Sequence, residues 1–257
     1  MLRVMTYNVH GGVGADGRLD LGRIAAVIAQ ARPDIVALQE LDVGRPRSGG
    51  VDQAHALAAR LGMTCQFNAA FSVAEERYGD AILTALPQTL IKAGPLPTPR
   101  LLRRLEPRGA VWTAVETPLG QVQVINTHLG LTPQEQKVQV RALLAPDWLG
   151  RPECAGPTIL LGDMNATARY AAYRALATRL RDVQRGPDGA RLRRKALRTF
   201  PARLPLLRLD HIFIGGGLDV VGVTCPNSAL ARAASDHRPL VAELHLPGNA
   251  ALSVKTI

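Results

Sequence analysis

The stretch Thr158-Ile159-Leu160-Leu161-Gly162-Asp163-Met164-Asn165 passes from apolar residues into a polar turn without an intervening linker. Its first half, Thr158–Leu161, reads as a buried strand. Gly162 permits close approach of backbone or ligand where that strand leaves the core. Asp163 and Asn165 then stand two positions apart at one exit. An aspartate there can orient and deprotonate a water, and an asparagine amide can donate to a phosphoryl oxygen. Gly-Asp-x-Asn is also good Asx-turn chemistry, so the stretch alone supports a plain turn equally well.

Four further polar clusters sit at the ends of strand-like runs: Tyr7-Asn8-Val9-His10, Leu38-Gln39-Glu40, Asn126-Thr127-His128 and Ser235-Asp236-His237. Around them the pattern predicts strands at 2–7, 35–38, 81–84, 89–91, 110–116, 121–126, 158–161, 212–214, 220–224 and 240–244. Pro118-Leu119-Gly120 marks a hairpin. Asp20 is a candidate N-cap for a helix carrying Ile24, Val27 and Ile28 and ended by Pro33. A second helix spans about 52–61 and stops at Gly62. Thr132-Pro133-Gln134-Glu135 has the form of a capping box opening a helix to about Leu144. A short helix is expected near 170–180. Strands outnumber helices and several neighbours look antiparallel, which suits an α/β (α+β) fold of two packed mixed sheets with helices outside. No repeat or Pro/Ser-rich linker divides residues 1–257, so one domain is expected, with 184–205 as its long excursion.

The bulk numbers agree with a globular chain: 47% hydrophobic and 20% charged residues over 257 positions exclude a disordered one. The start lacks the layout of a signal peptide, and no apolar run is long enough to span a bilayer, so a cytoplasmic protein is the default. Cys65, Cys154 and Cys225 have no metal-type spacing and read as reduced, mostly buried thiols. The net charge of +10 is concentrated. Residues 179–208 hold ten basic and two acidic side chains, and 100–108 hold four and one. Such a patch attracts a phosphate-rich partner, or is simply a solvated basic loop.

Each cluster holds groups suited to phosphate and hard cations. Glu40 is a carboxylate just past a strand, the kind of oxygen ligand that Mg²⁺ takes. Asn8 can ligate through its oxygen or fix a neighbouring carboxylate. His10 shares the face of Asn8 if the strand continues that far. His128, at a strand exit, can donate to a non-bridging phosphate oxygen. Asp236 offers a second carboxylate. Asp210, entering another strand, is the expected partner of His237, fixing its tautomer and favouring its charged form. His211 reads as a structural neighbour. Each of these has a structural alternative: a solvated loop glutamate, a turn asparagine, a satisfied core histidine.

Taken in order, the five clusters resemble the endonuclease/exonuclease/phosphatase family, over nearly the whole chain from Tyr7 to Pro239. The resemblance implies a four-layer α/β sandwich with its site at one end of the two sheets. It implies Mg²⁺-dependent (or Mn²⁺-dependent) hydrolysis of a phosphodiester by in-line attack of water. Carried over, Glu40 looks like the principal metal ligand, supported by Asn8 and Asp236. Asp163 looks like the water-activating residue, with Asn165, His128 and His237 around the phosphate and Asp210 behind His237. Met164 stands where the family often has Phe. His10 stands where abasic-site endonucleases carry an aspartate, which weighs against a direct DNA-repair role. Gly79-Asp80-Ala81 replaces a common Gly-Asn-Ala, so substrate contacts from that segment are in doubt. Nucleic acid is the first expected substrate, with His10, Arg47, Arg193 and Arg194 as candidate contacts. A phospholipid or phosphoinositide headgroup, or a small phosphoester, is the alternative. Leu204-Pro205-Leu206-Leu207 would then be an exposed apolar loop, unless it is a core strand entry. An inactive binding module is a third reading, but Glu40, Asp163 and His237 are all retained.

Overall fold

Leu2 and Val4 face one apolar core while Met5 and Tyr7 face another, so the first strand is buried on both sides. The same alternation sorts most of the chain into layers. The computed structural model describes residues 1–102, 104–186 and 196–246. Its first six strands are β1 (Leu2–Asn8), β2 (Ile35–Val43), β3 (Thr64–Val73), β4 (Glu76–Thr84), β5 (Gln88–Pro95) and β6 (Gly109–Thr117). Then follow β7 (Gly120–His128), β8 (Thr158–Asp163), β9 (Arg181–Asp182), β10 (Asp210–Gly215), β11 (Asp219–Thr224) and β12 (Leu240–His245). Two six-stranded sheets result, ordered β11-β12-β1-β2-β4-β3 and β5-β6-β7-β8-β10-β9. Each has one parallel pair near its centre, β1 with β2 and β7 with β8, and antiparallel neighbours elsewhere.

Between the sheets lies a core of Val4, Ile35, Val111, Val124, Ile159, Leu161, Ile212 and their neighbours. Outside the first sheet, α1 (Leu21–Ala31), α2 (Gln53–Leu61) and α5 (Ala229–Ala234) cover Met5, Tyr7, Val36 and Leu38. Outside the second, α3 (Pro133–Leu143) and α4 (Ala171–Leu176) cover Trp112, Ile125, Leu160 and Phe213. This is the expected four-layer α/β sandwich. Burying each such Leu, Ile or Val contributes about 1.5–3 kcal/mol. No helix among the described residues is long and apolar enough to cross a membrane.

The helix ends follow the local chemistry. Asp20 and Asp52 accept from the backbone of Arg23 and His55, and Thr132 and Glu135 form the full capping box. The last helix expected near 170–180 is shorter, Ala171–Leu176, and β3 and α5 were not expected at all. Residues 64–73 of β3 are mostly half-buried and mix polar with apolar side chains, so their pattern is faint. The six-residue α5 is held by the Ser228 cap and by packing of Ala231 and Ala234.

The strands carry the site. Facing the inter-sheet core, the apolar side chains give way to polar ones at one end: Val4 to Thr6 and Asn8, Ala37 to Gln39, Val124 to Asn126 and His128, Leu161 to Asp163. Gln39 bridges the sheets there, donating to Thr6 Oγ1 (3.1 Å) and to Asn126 Oδ1 (2.8 Å). Asn126 donates in turn to the carbonyls of Leu38 and Ala81, both at 2.8 Å. This layer closes the apolar core with satisfied polar groups.

Candidate active site

At the open end of that layer, Asp163 is buried with 1% of its side chain exposed. It is the last residue of β8, where Gly162 has φ +147° and packs against the backbone of Thr127 on β7. A Cβ at Gly162 would fall on the Thr127 carbonyl oxygen, so the parallel pair requires glycine there. Asp163 Oδ1 accepts from the Asn165 backbone N–H at 2.8 Å, and Oδ2 accepts from Asn8 Nδ2 at 3.0 Å. The Nε2 atoms of His128 and His237 each lie 3.6 Å from Oδ2.

His237 precedes β12, which runs antiparallel to β1 and so returns it to the same edge. Its Nδ1 donates to Asp210 Oδ2 at 2.8 Å, the pairing expected from the sequence. Burial opposes charge on this ring, but Asp210 and Asp163 outweigh it and push its pKa up to about 10. Burial raises Asp163 to about 6; His237 works against that rise and Asp210 adds to it. Asp163, Asp210 and His237 thus form a buried charge line, with ligand-type atoms within 4.8 Å of one another. His211 is also buried, bonded to the Ala166 carbonyl, and held down to about 4 by burial and Arg208.

Glu40 does not lie past its strand. It sits inside β2, where the register with β4 shifts between Leu38 and Leu41, and its φ is +63°. Strict alternation would send Glu40 to the helix side, opposite Gln39. The bulge turns it to the mouth instead. Its side chain is 21% exposed, and Oε1 accepts from Asn8 Nδ2 at 2.8 Å. Asn8 therefore joins Glu40 and Asp163 through one amide nitrogen, while its oxygen accepts from the His10 N–H. In this arrangement Asn8 fixes two carboxylates through its nitrogen, while its oxygen keeps one acceptor position beyond the His10 N–H. β1 ends at Asn8, and His10 starts a 3₁₀ turn with φ +49°, so it does not share the face of Asn8. His10 instead lies on the rim, its Nδ1 3.7 Å from Asp236 Oδ1. Asp236 is about one-third exposed and is contacted by Ser235 Oγ at 3.3 Å.

His128 is the last residue of β7, which runs two positions beyond the expected end. Arg108 Nη1 reaches its Nδ1 at 3.0 Å, and the Asn165 amide lies 2.9 Å from its Nε2. Both ring nitrogens face donors, and a neutral imidazole accepts at only one. The charge-assisted contact from Arg108 is the stronger, so Nδ1 accepts and Nε2 carries the hydrogen. Burial, then Arg108 and His237, hold the pKa of this ring well below the usual histidine range. Arg108 was missed in the sequence, where it was one basic residue in a basic run. Only folding shows it 6% exposed and paired with Glu106 at 2.7 Å.

A cleft of about 270 Å³ opens beside Glu40 and is lined also by His10, Asp42, Arg47, Tyr78 and Glu106. Arg47 pairs with Asp42 through both guanidinium arms, at 2.8 Å each. Arg193 and Arg194 lie outside the described residues. Asp80 faces the bulge from β4 and accepts from the Glu40 backbone. Burial raises its pKa to about 8; Arg108 opposes the rise and Glu40 and Glu106 add to it. At neutral pH it is largely the uncharged acid.

A curated relative, the uncharacterized protein YbhP of Escherichia coli K12, is 27% identical over 263 residues, covering 95% of this chain and 96% of its own. An endonuclease/exonuclease/phosphatase from Beutenbergia cavernae superposes with a TM-score of 0.71 at 24% identity, covering 96% of this chain and 72% of that one. A mannosyl-6-phosphatase from Bacteroides thetaiotaomicron gives 0.71 at 20% identity, covering 95% and 99%. At these identities the two structures show a shared fold. The sequence profile of the Endonuclease/Exonuclease/phosphatase family matches residues 5–237, and this chain belongs to that family, whose members are generally hydrolytic phosphoesterases.

Proposed function

We propose that residues 1–257 form one catalytic domain that hydrolyses a phosphodiester by attack of water, with a divalent cation, Mg²⁺ or Mn²⁺, held at Glu40. The observation that carries this reading is the convergence of Asn8, Glu40, His128, Asp163, Asn165, Asp210 and His237 at one end of the two sheets. Nothing in a merely structural domain calls for a buried aspartate aimed at two histidines.

The residues fit a hard cation. Glu40, Asp163, Asp210, Asp236 and Glu106 crowd one mouth, and burial and mutual repulsion raise Asp163 and Glu106. His237 supplies one compensating charge on the buried side. The open side, at Glu40 and Asp236, suits an oxygen-liganded divalent ion that keeps several waters. Asp163, Asp210 and His237 are a poorer site, because a cation there would compete with the proton that already joins the two carboxylates. The bound ion would neutralise charge developing on the phosphoryl oxygens.

The side chains do the rest. Asp163 accepts the proton of the attacking water and is held for it by Asn8 and the Asn165 N–H. The His128 Nε2–H and the Asn165 amide donate to phosphoryl oxygens. His237, kept charged by Asp210, stabilises the negative charge of the transition state. The test is turnover of a panel with Mg²⁺, Mn²⁺ or EDTA: plasmid DNA, an abasic-site duplex, RNA, sphingomyelin, phosphoinositides and a chromogenic phosphodiester. Metal-dependent turnover lost in Asp163→Asn supports the proposal. No turnover by folded, metal-loaded protein defeats it for these substrate classes.

A further inference from the structure

We infer that a groove beside this mouth, rimmed by the 203–207 loop, docks the protein on an anionic phospholipid surface. The inference rests on the phosphoesterase reading and names where its substrate lies. The groove holds about 970 Å³ and is lined by Arg169, Arg185, Arg198, Arg208 and Arg238, with no acidic residue in its described lining. Arg169, Arg198 and Arg203 are exposed and make no ion pair among the described residues. Arg208 is committed to the buried Asp182, and Arg238 donates to the carbonyls of Ala202 and Arg203. Two arginines thus brace the wall while exposed ones face solvent.

The loop supplies the second signal. Leu204, Leu206 and Leu207 are 68%, 57% and 43% exposed. They do not enter the core, because the segment turns back on itself: the N–H groups of Leu206 and Leu207 both donate to the Phe200 carbonyl at 2.8 Å. Phe200 packs its ring on His237 at 4.8 Å, so the turn that carries the leucines is joined directly to a residue of the candidate site. Peripheral membrane binding takes two signals, inserted apolar side chains plus cationic ones near anionic headgroups. Both are present at this groove. A nucleic-acid backbone has use for the arginines but none for three exposed leucines. The groove offers one aromatic, Tyr170, among its described lining residues, which is poor for base stacking.

The experiment is co-sedimentation of the full chain with vesicles of phosphatidylcholine, with and without phosphatidylglycerol, across a salt series. The wild type should bind the anionic vesicles about tenfold more strongly than the neutral ones, and less as salt rises. Leu204→Ser/Leu206→Ser/Leu207→Ser and, separately, Arg169→Gln/Arg198→Gln should each lower that binding about tenfold, with thermal melts checking that both variants fold. Equal binding to the two vesicle types overturns the inference, and so does wild-type binding by either folded variant. Binding of duplex DNA that depends on Arg169 and Arg198 while vesicles are ignored would also overturn it, in favour of nucleic acid. Wild-type turnover of a soluble chromogenic phosphodiester, measured in parallel, reads the chemistry alone. Turnover without vesicle binding would sink the docking surface and leave the phosphoesterase standing.

Discussion

The two sheets follow one scheme of strand directions, yet the same scheme delivers two kinds of carboxylate. In the second sheet, β7 and β8 stay in register to their ends, His128 opposite Asp163, and the alternation that buries Ile159 and Leu161 buries Asp163 too. In the first, β1 and β2 are in register only to Asn8 and Gln39, and a bulge then turns Glu40 outward. A regular strand end gives a dry carboxylate with a raised pKa. An interrupted one gives a carboxylate open to solvent and cations. Asn8 joins the two by a single amide nitrogen.

The sharpest way to test this division is on the buried side. Asp163→Asn removes the proposed base and should lower kcat by on the order of 10⁴-fold, measured on the best substrate of the panel. Retention of a tenth of the activity would move the base elsewhere. Asp210→Asn should cost roughly 10²–10³-fold and also change the pH profile. In the wild type, activity should rise with pH as Asp163 loses its proton near about 6 and fall as His237 loses its own near about 10. These limbs belong to the coupled pair. Without Asp210 the alkaline limb should move down toward the ordinary histidine value of 6.5. An unmoved limb would show that Asp210 does not hold the charge of His237.

The open side should respond differently. Asn8→Ala leaves both carboxylates in place but unguided, so the metal concentration for half-maximal activity should rise about 10–100-fold. Saturating Mg²⁺ should restore part of the rate. Gly162→Ala tests the regular strand pair itself. The added Cβ meets Thr127 at a positive φ, and stability should fall by about 1–3 kcal/mol or more in a denaturant titration. The smallest effect is expected at Asp80→Asn, about 0.5 kcal/mol at neutral pH. Its raised pKa means that the stabilisation is complete below the unfolded value of 3.8 and is lost as pH rises through about 8. The variant should therefore gain on the wild type as pH rises toward about 8 and no further above it, and parallel stability curves from pH 5 to pH 8 would refute that.

Much of this was legible in the chain because it is written locally. Thr158–Asn165, the capping box at Thr132 and the caps at Asp20 and Asp52 depend on neighbours a few residues away. The pairing of Asp210 with His237 was also legible, because each stands where a strand begins, and the two packed sheets bring those two starts together. The placement of Glu40 was not. Its bulge depends on the register of β2 against β4, and a one-residue shift reverses which face a side chain takes. Arg108 was hidden for a related reason: a basic residue in a basic run carries no mark of burial. The exposure of Leu204, Leu206 and Leu207 was undecidable, since apolar residues between arginines suit a strand entry or a surface loop equally.

By itself the sequence determined the layered α/β class, the order of the polar strand ends and the chemical types gathered there, because alternation, caps and turns act over short range. Only the tertiary structure decided which groups are dry, which tautomer His128 takes and which way Glu40 points. Those depend on the atoms that two separately formed sheets bring together, and desolvation and charge pairing have no value until they meet.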